Sequence, residues 1–240
     1  MHLPEGSLNS SAVLITTAVG ILAFGIACCF ARRKLCPKQL PSLLAMTIFV
    51  CLAQTVNYAT GFGYSGHWVG AGLLSIFFGP IAAMLSMAAV LGTQSSLFGD
   101  GCWATLGANF INIGIVAPWA AHWSFKLLQG RRSPQVDLGQ IIAVGIANFF
   151  AIVFATISLC LISSASLLAM LLANTCIAVI EAVLSMTFFI ICVRGLEARL
   201  SMLRRFALKP IAILIVLALC LGQLSSQQPN GVDHVLSPHD

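Results

Sequence analysis

The sequence predicts an all-α fold, a polytopic transmembrane helical bundle, and three observations carry that prediction. The 240-residue chain is 59% hydrophobic and only 8% charged, against roughly 25% charged residues in an ordinary soluble domain. Several apolar stretches approach or pass the roughly 20 residues that cross a bilayer as a helix, and none shows the alternation of a barrel strand. All twelve Lys and Arg fall in three clusters: Arg32, Arg33, Lys34 and Lys38; Lys126, Arg131 and Arg132; Arg194, Arg199, Arg204, Arg205 and Lys209. The positive-inside rule makes these the cytoplasmic loops. The net charge of +5 is thereby explained by topology, without a nucleic-acid partner.

Ser11 to Ala31 forms the first span and runs inward to "ARRK", which places the amino terminus outside. Leu43 to Thr60 returns to an outer loop, "GFGYSGHW". The apolar stretch Val69 to Leu97 is either one kinked helix or two helices broken at Gly79-Pro80. Only two crossings return the Lys126–Arg132 cluster to the cytoplasm, so two are expected, with Gly66 to Gly79 as the first. That piece extends only about 20 Å, short of the roughly 30 Å hydrocarbon core. It must sit inside the bundle, with its outer end part-way down a cavity.

Ala104 to Phe125, Leu138 to Ile162 and Ala165 to Val193 complete seven spans, and Ile211 to Leu221 with its flanks is an expected eighth. Between the last two, "RGLEARLSMLRRF" reads either as an amphipathic segment on the cytoplasmic membrane surface or as a solvated connector. No basic region precedes the first span, so no removable signal peptide is expected and Met1 is retained. The tail "SSQQPNGVDHVLSPHD" is polar and rich in turn residues. The nine cysteines form no CxxC pair, and most lie in apolar runs, where Cys acts as a small hydrophobe.

The chain opens "MHLPEG". A free amine followed by His at position two offers three nitrogens in one short stretch: the Met1 amine, the His2 backbone amide once deprotonated, and His2 Nδ1. Three nitrogens held near one plane suit Ni(II) or Cu(II) better than Zn(II). One neutral imidazole would complete the plane. His122 lies beside Trp123 at the cytoplasmic end of a span, the wrong side, and His234 and His239 lie in the tail. His67, in the outer loop at the mouth of the sunken helix, is the natural fourth ligand. The competing reading is that His2 and His67 are solvated bystanders. Against it, Gly63, Gly66 and Gly70 let backbones approach closely around His67, and Pro4 with Gly6 forms a turn able to fold the terminus back.

These residues carry a resemblance. With "MHLPEG", "SGHWVGAGLLSIFFGP" and "FGDGCWATLGANFINIGIV" in that order, the chain resembles the nickel/cobalt substrate-specificity components, the NikM/CbiM group, of energy-coupling factor transporters. The resemblance extends loosely over about the first 200 residues. It implies that the amino terminus inserts into the bundle and binds Ni2+ or Co2+, as transported substrate, through Met1, His2 and His67. Asn109, Asn112 and Asp100 would then support the inserted segment or the loop across it. Glu181, alone mid-span, would bond the terminus or a buried polar partner rather than metal. Gln54, Asn57 and Gln94 read as structural groups packing polar faces inward.

This chain has no GxxxxGK[ST] phosphate loop with which to hydrolyse ATP; the resemblance implies instead a coupling membrane subunit and two ATPase subunits, in the cell inner (plasma) membrane. The spacing Ala23-xxx-Ala27 offers such a partner a close packing face. Residues 1-206 form the metal-binding domain; 207-240 add the extra helix and outer tail, where "QQPNGVDHV" only faintly resembles a small companion subunit. The stretch before His67 lacks the Pro-Gly-Gly of many relatives. A membrane-bound metal sensor or assembly factor without transport partners is the alternative. No nucleophile and base stand at a recognisable spacing, so an enzyme is not expected.

Overall fold

The computed structural model describes residues 3, 5–59, 65–98, 102–129 and 137–197. Met1, His2, Pro4, Asp100, Gly63, Arg131 and Arg132 lie outside them, as do the expected eighth span, the segment beyond Glu197 and the tail with His234 and His239.

Helix α1 (Ser10–Lys34) starts where the Asn9 carboxamide accepts the Ala12 N–H at 2.8 Å. It ends on Arg32, Arg33 and Lys34, cations placed where the helix dipole favours them. After a short 3-10 turn comes α2 (Leu40–Gln54), then strands β1 (Asn57–Ala59) and β2 (Ser65–His67), α3 (Ala71–Phe78) and α4 (Pro80–Thr93). The expected break falls at Gly79, whose φ of 85° and ψ of 161° no helix contains; Pro80 then opens α4. A π-turn, Gln94–Phe98, extends α4. The next span is composite: a 3-10 turn at Trp103–Thr105, α5 (Leu106–Asn109), a π segment Phe110–Val116 and α6 (Ala117–Leu128). Helix α7 (Leu138–Ser163) is capped by Asp137, and α8 (Leu167–Glu197) is the longest helix.

Among the described residues five helical stretches are long and apolar enough to cross a membrane: Ser10–Lys34, Pro80–Leu97, Trp103–Leu128, Leu138–Ser163 and Leu167–Val193. With α2 and the sunken α3 they make the seven helical elements of a multi-pass bundle. Leu14, Ile21, Leu22, Leu161, Leu168 and Leu172 stay exposed on outward faces, as they must when the surrounding solvent is lipid.

Two boundaries and one packing face differ from the sequence reading. Helix α2 stops at Gln54 rather than continuing to Thr60, because Asn57–Ala59 pairs antiparallel with Ser65–His67. The short helix begins at Ala71 rather than Gly66; its eight residues rise only about 12 Å. The third concerns α1: Ala27 is fully buried in this chain's own core and Ala23 packs against that core, so the Ala23-xxx-Ala27 face is used internally. The close small-residue crossing lies elsewhere, at Gly107 of α5, where a Cβ would stand 2.6 Å from the Thr17 Cα of α1.

Candidate metal-capture site

The site grows from the strand pair. Register sets Asn57 opposite His67 and Tyr58 opposite Gly66. Gly66 is required there: a Cβ would come within 2.7 Å of Ile177 on α8. His67 is thus drawn into the bundle, 3% exposed, with Nδ1 3.4 Å from the Trp68 carbonyl oxygen. The tautomer protonated at Nδ1 would donate to that carbonyl and place the lone pair on Nε2, the arrangement that suits a metal-ligating imidazole. Trp68 is wedged against Phe49 of α2 and Phe188 of α8, with ring centroids 5.4 and 6.2 Å away.

Two residues beyond His67 the chain is clamped. Glu181 accepts the Val69 N–H through Oε2 at 2.8 Å and the Gly70 N–H through Oε1 at 2.9 Å. Gln54 Nε2 donates to the Val69 carbonyl at 2.6 Å, and Gln94 Nε2 donates to Gln54 Oε1 at 2.9 Å. All three side chains are essentially inaccessible. Gly70 has φ of 69°, where a side chain would be strained, and a Cβ would also press on Val50 at 2.9 Å. The carboxylate therefore sits at the N-terminus of α3, where unpaired amides and the helix dipole favour an anion. Tyr58 lies nearby; burial first, then the Glu181 and Cys176 charges, push its hydroxyl above the usual range and keep it neutral.

A second anchor holds the other end of the chain. The Leu3 N–H donates to Asn109 Oδ1 at 2.8 Å, and the Thr105 hydroxyl donates to the Leu3 carbonyl at 2.8 Å. Asn109 Nδ2 also reaches Thr105 Oγ1 at 3.4 Å. Leu3 is completely buried, and Gly6, with φ of 80°, supplies a turn after it.

The structure therefore brings Asn109 to the amino-terminal segment at Leu3, and Glu181 to the loop after His67. Asn112, one turn beyond Asn109 in the π segment, is fully buried with neither amide atom hydrogen-bonded. Among the described residues no three His, Cys, Asp or Glu side chains come together. Thr105 and Leu3 were not singled out in the sequence, although both stand inside its motifs; a buried Thr one turn before Asn109 was the available signal.

Residues 2–196 match the family model described as the cobalt uptake substrate-specific transmembrane region, CbiM. A protein of Methanocaldococcus jannaschii named for metal transport is 32% identical over 65% of this chain and 68% of its own length. One of Halobacterium salinarum named for cobalt transport is 31% identical over 70% of this chain and 72% of its own. The fused nickel transport protein NikMN of Rhodobacter capsulatus is 27% identical over 62% of this chain, which spans only 43% of that longer protein. Two crystal structures of a transition metal transporter, one truncated, share the fold at TM-scores of 0.71 and 0.70 with 22% identity. They cover 86% and 81% of this chain, which in turn spans 98% and 99% of them. This family consists of metal-transport membrane components rather than enzymes. The chain is a member of the NikM/CbiM family of nickel and cobalt transport proteins.

Proposed function

We propose that this chain is the substrate-specificity component of an ATP-driven uptake transporter for nickel or cobalt. It captures the ion outside the plasma membrane through the Met1 amine, the His2 amide nitrogen, His2 Nδ1 and the His67 ring. The observation that carries this reading is Leu3: buried, and hydrogen-bonded through both backbone groups to Asn109 and Thr105. Two residues span at most about 7 Å, so a metal held by the terminus would lie close to the Leu3 anchor. The geometry of α8 supports the closure. Met170 shares an apolar cluster with Leu3, and Ile177 meets Gly66 beside His67. Those positions are seven residues apart, about 10 Å of helix rise, a gap that two residues and an imidazole bridge.

Four nitrogens near one plane favour nickel over cobalt. Asn112, with an open amide beside the anchored segment, supports the inserted terminus; Asp100 serves the loop across it, and Glu181 fixes the His67 turn. A coupling membrane subunit and two ATPase subunits supply the power. Residues 207-240 act as a fused fragment of a small companion subunit, with both chain termini outside. The test is nickel stoichiometry of the purified protein, by elemental analysis and titration calorimetry. The wild type should bind one ion. His2→Ala, His67→Ala and a chain carrying one extra residue before Met1 should bind none. Stoichiometric nickel in the extended chain would refute the chelate.

A further inference from the structure

The chelate needs its terminus at a fixed depth, and the hydrogen bonds to Leu3 do not alone set it, since backbone bonds can slip by a residue. The Leu3 side chain cannot slip. It belongs to a small apolar cluster, separate from the main core, with Ala108 of α5, Leu159 and Cys160 of α7 and Met170 of α8. Leu3, Ala108, Leu159 and Met170 are all 0% exposed, so the cluster is closed when Leu3 occupies it. Ile162 and Ala165 pack over it from the α7–α8 turn, which Ser164 closes with φ of 57°. Three helices thus meet on one side chain of a segment that is not itself helical.

We infer that Leu3 is the positioning residue of the site: its side chain seats in a socket formed by Ala108, Leu159, Cys160 and Met170, and this seating inserts the terminus to the depth at which metal is bound. The inference rests on the proposed chelate but concerns a residue that touches no metal. Burial of one Leu favours insertion by about a factor of 30, or about 2 kcal/mol at 1.4 kcal/mol per tenfold. A site competent only when the terminus is seated loses apparent affinity in proportion to the seated fraction.

The test uses the full-length protein in detergent with two separate readouts. The first, made without metal, is the rate at which a maleimide labels Cys160, followed by the mass of its peptide; Cys160 is 8% exposed with Leu3 seated. Leu3→Ala and Leu3→Asp should speed that labelling by about tenfold or more. The second is nickel affinity, which should fall by up to roughly 30-fold in Leu3→Ala while the absorption spectrum of the saturated complex stays that of the wild type. Leu3→Met, which preserves volume, should restore both. Unchanged Cys160 labelling in Leu3→Asp would overturn the socket, and faster labelling with undiminished nickel affinity would overturn the positioning role. Should His67→Ala bind nickel normally, the chelate fails, yet Cys160 labelling still judges the socket.

Discussion

Replacing Glu181 by Gln tests whether the His67 turn is held by a carboxylate. The two Glu181 oxygens accept two backbone N–H groups, from Val69 and Gly70, at 2.8 and 2.9 Å. A carboxamide keeps one oxygen and turns its NH2 toward the second N–H, so one hydrogen bond goes and two donors face each other. With the side chain 1% exposed, water cannot substitute. Leaving one buried backbone donor unpaired costs about 1–3 kcal/mol. Taking about 2 kcal/mol, local opening of the turn becomes roughly 30-fold more frequent at 1.4 kcal/mol per decade.

Hydrogen exchange read by mass spectrometry on a peptide spanning residues 65–75 reports that opening directly. The expected result is faster exchange at Val69 and Gly70, with the amides of α7 unaffected. Glu181→Leu should roughly double the energetic loss, because both donors are then orphaned. Nickel affinity should fall in the same order, since His67 stands two residues from the clamp. Wild-type exchange at Val69 and Gly70 in Glu181→Gln would refute the clamp as the element that holds the turn.

Asn112→Leu should raise the melting temperature by several degrees, since it removes two buried amide atoms without partners, and should weaken nickel binding. A thermal scan and a titration check the two halves. Gly107→Ala should lower the melting temperature, costing about 1–3 kcal/mol, because the new Cβ meets Thr17 backbone at 2.6 Å and α1 must move off α5. If the proposed chelate holds, nickel affinity should fall as pH drops, because the amine, the His2 amide and both imidazoles would have to be deprotonated to bind. Calorimetry in buffers of different ionisation enthalpy should register the released protons.

Much of this fold was legible because lipid imposes length and composition on each element. The break at Gly79-Pro80, the brevity of α3 and the seven helices follow from hydropathy and from the side on which basic residues must lie. What escaped was set by pairing across the bundle. Nothing local in "NYATGFGYSGH" announces that Asn57–Ala59 is a strand; it becomes one because Ser65–His67 lies against it and Gly66 lets α8 close on both. The π segment at Phe110–Val116 was equally invisible, since "FINIGIV" satisfies a helical pattern whichever carbonyl each amide chooses.

The site divides along the same line. His67 was picked as an outer-loop imidazole and Asn109 through the family motif, whereas Glu181 was legible because a lone ionisable group mid-span demands a partner. Leu3 was not, because a leucine in a hydrophobic chain carries no local mark of being special. Its importance lies in the contrast between its surroundings and its connectivity. It precedes the first helix, yet it is as buried as Leu159 or Met170 in the helices around it. On the positioning role inferred above, what it sets is the depth of the chain's first residues.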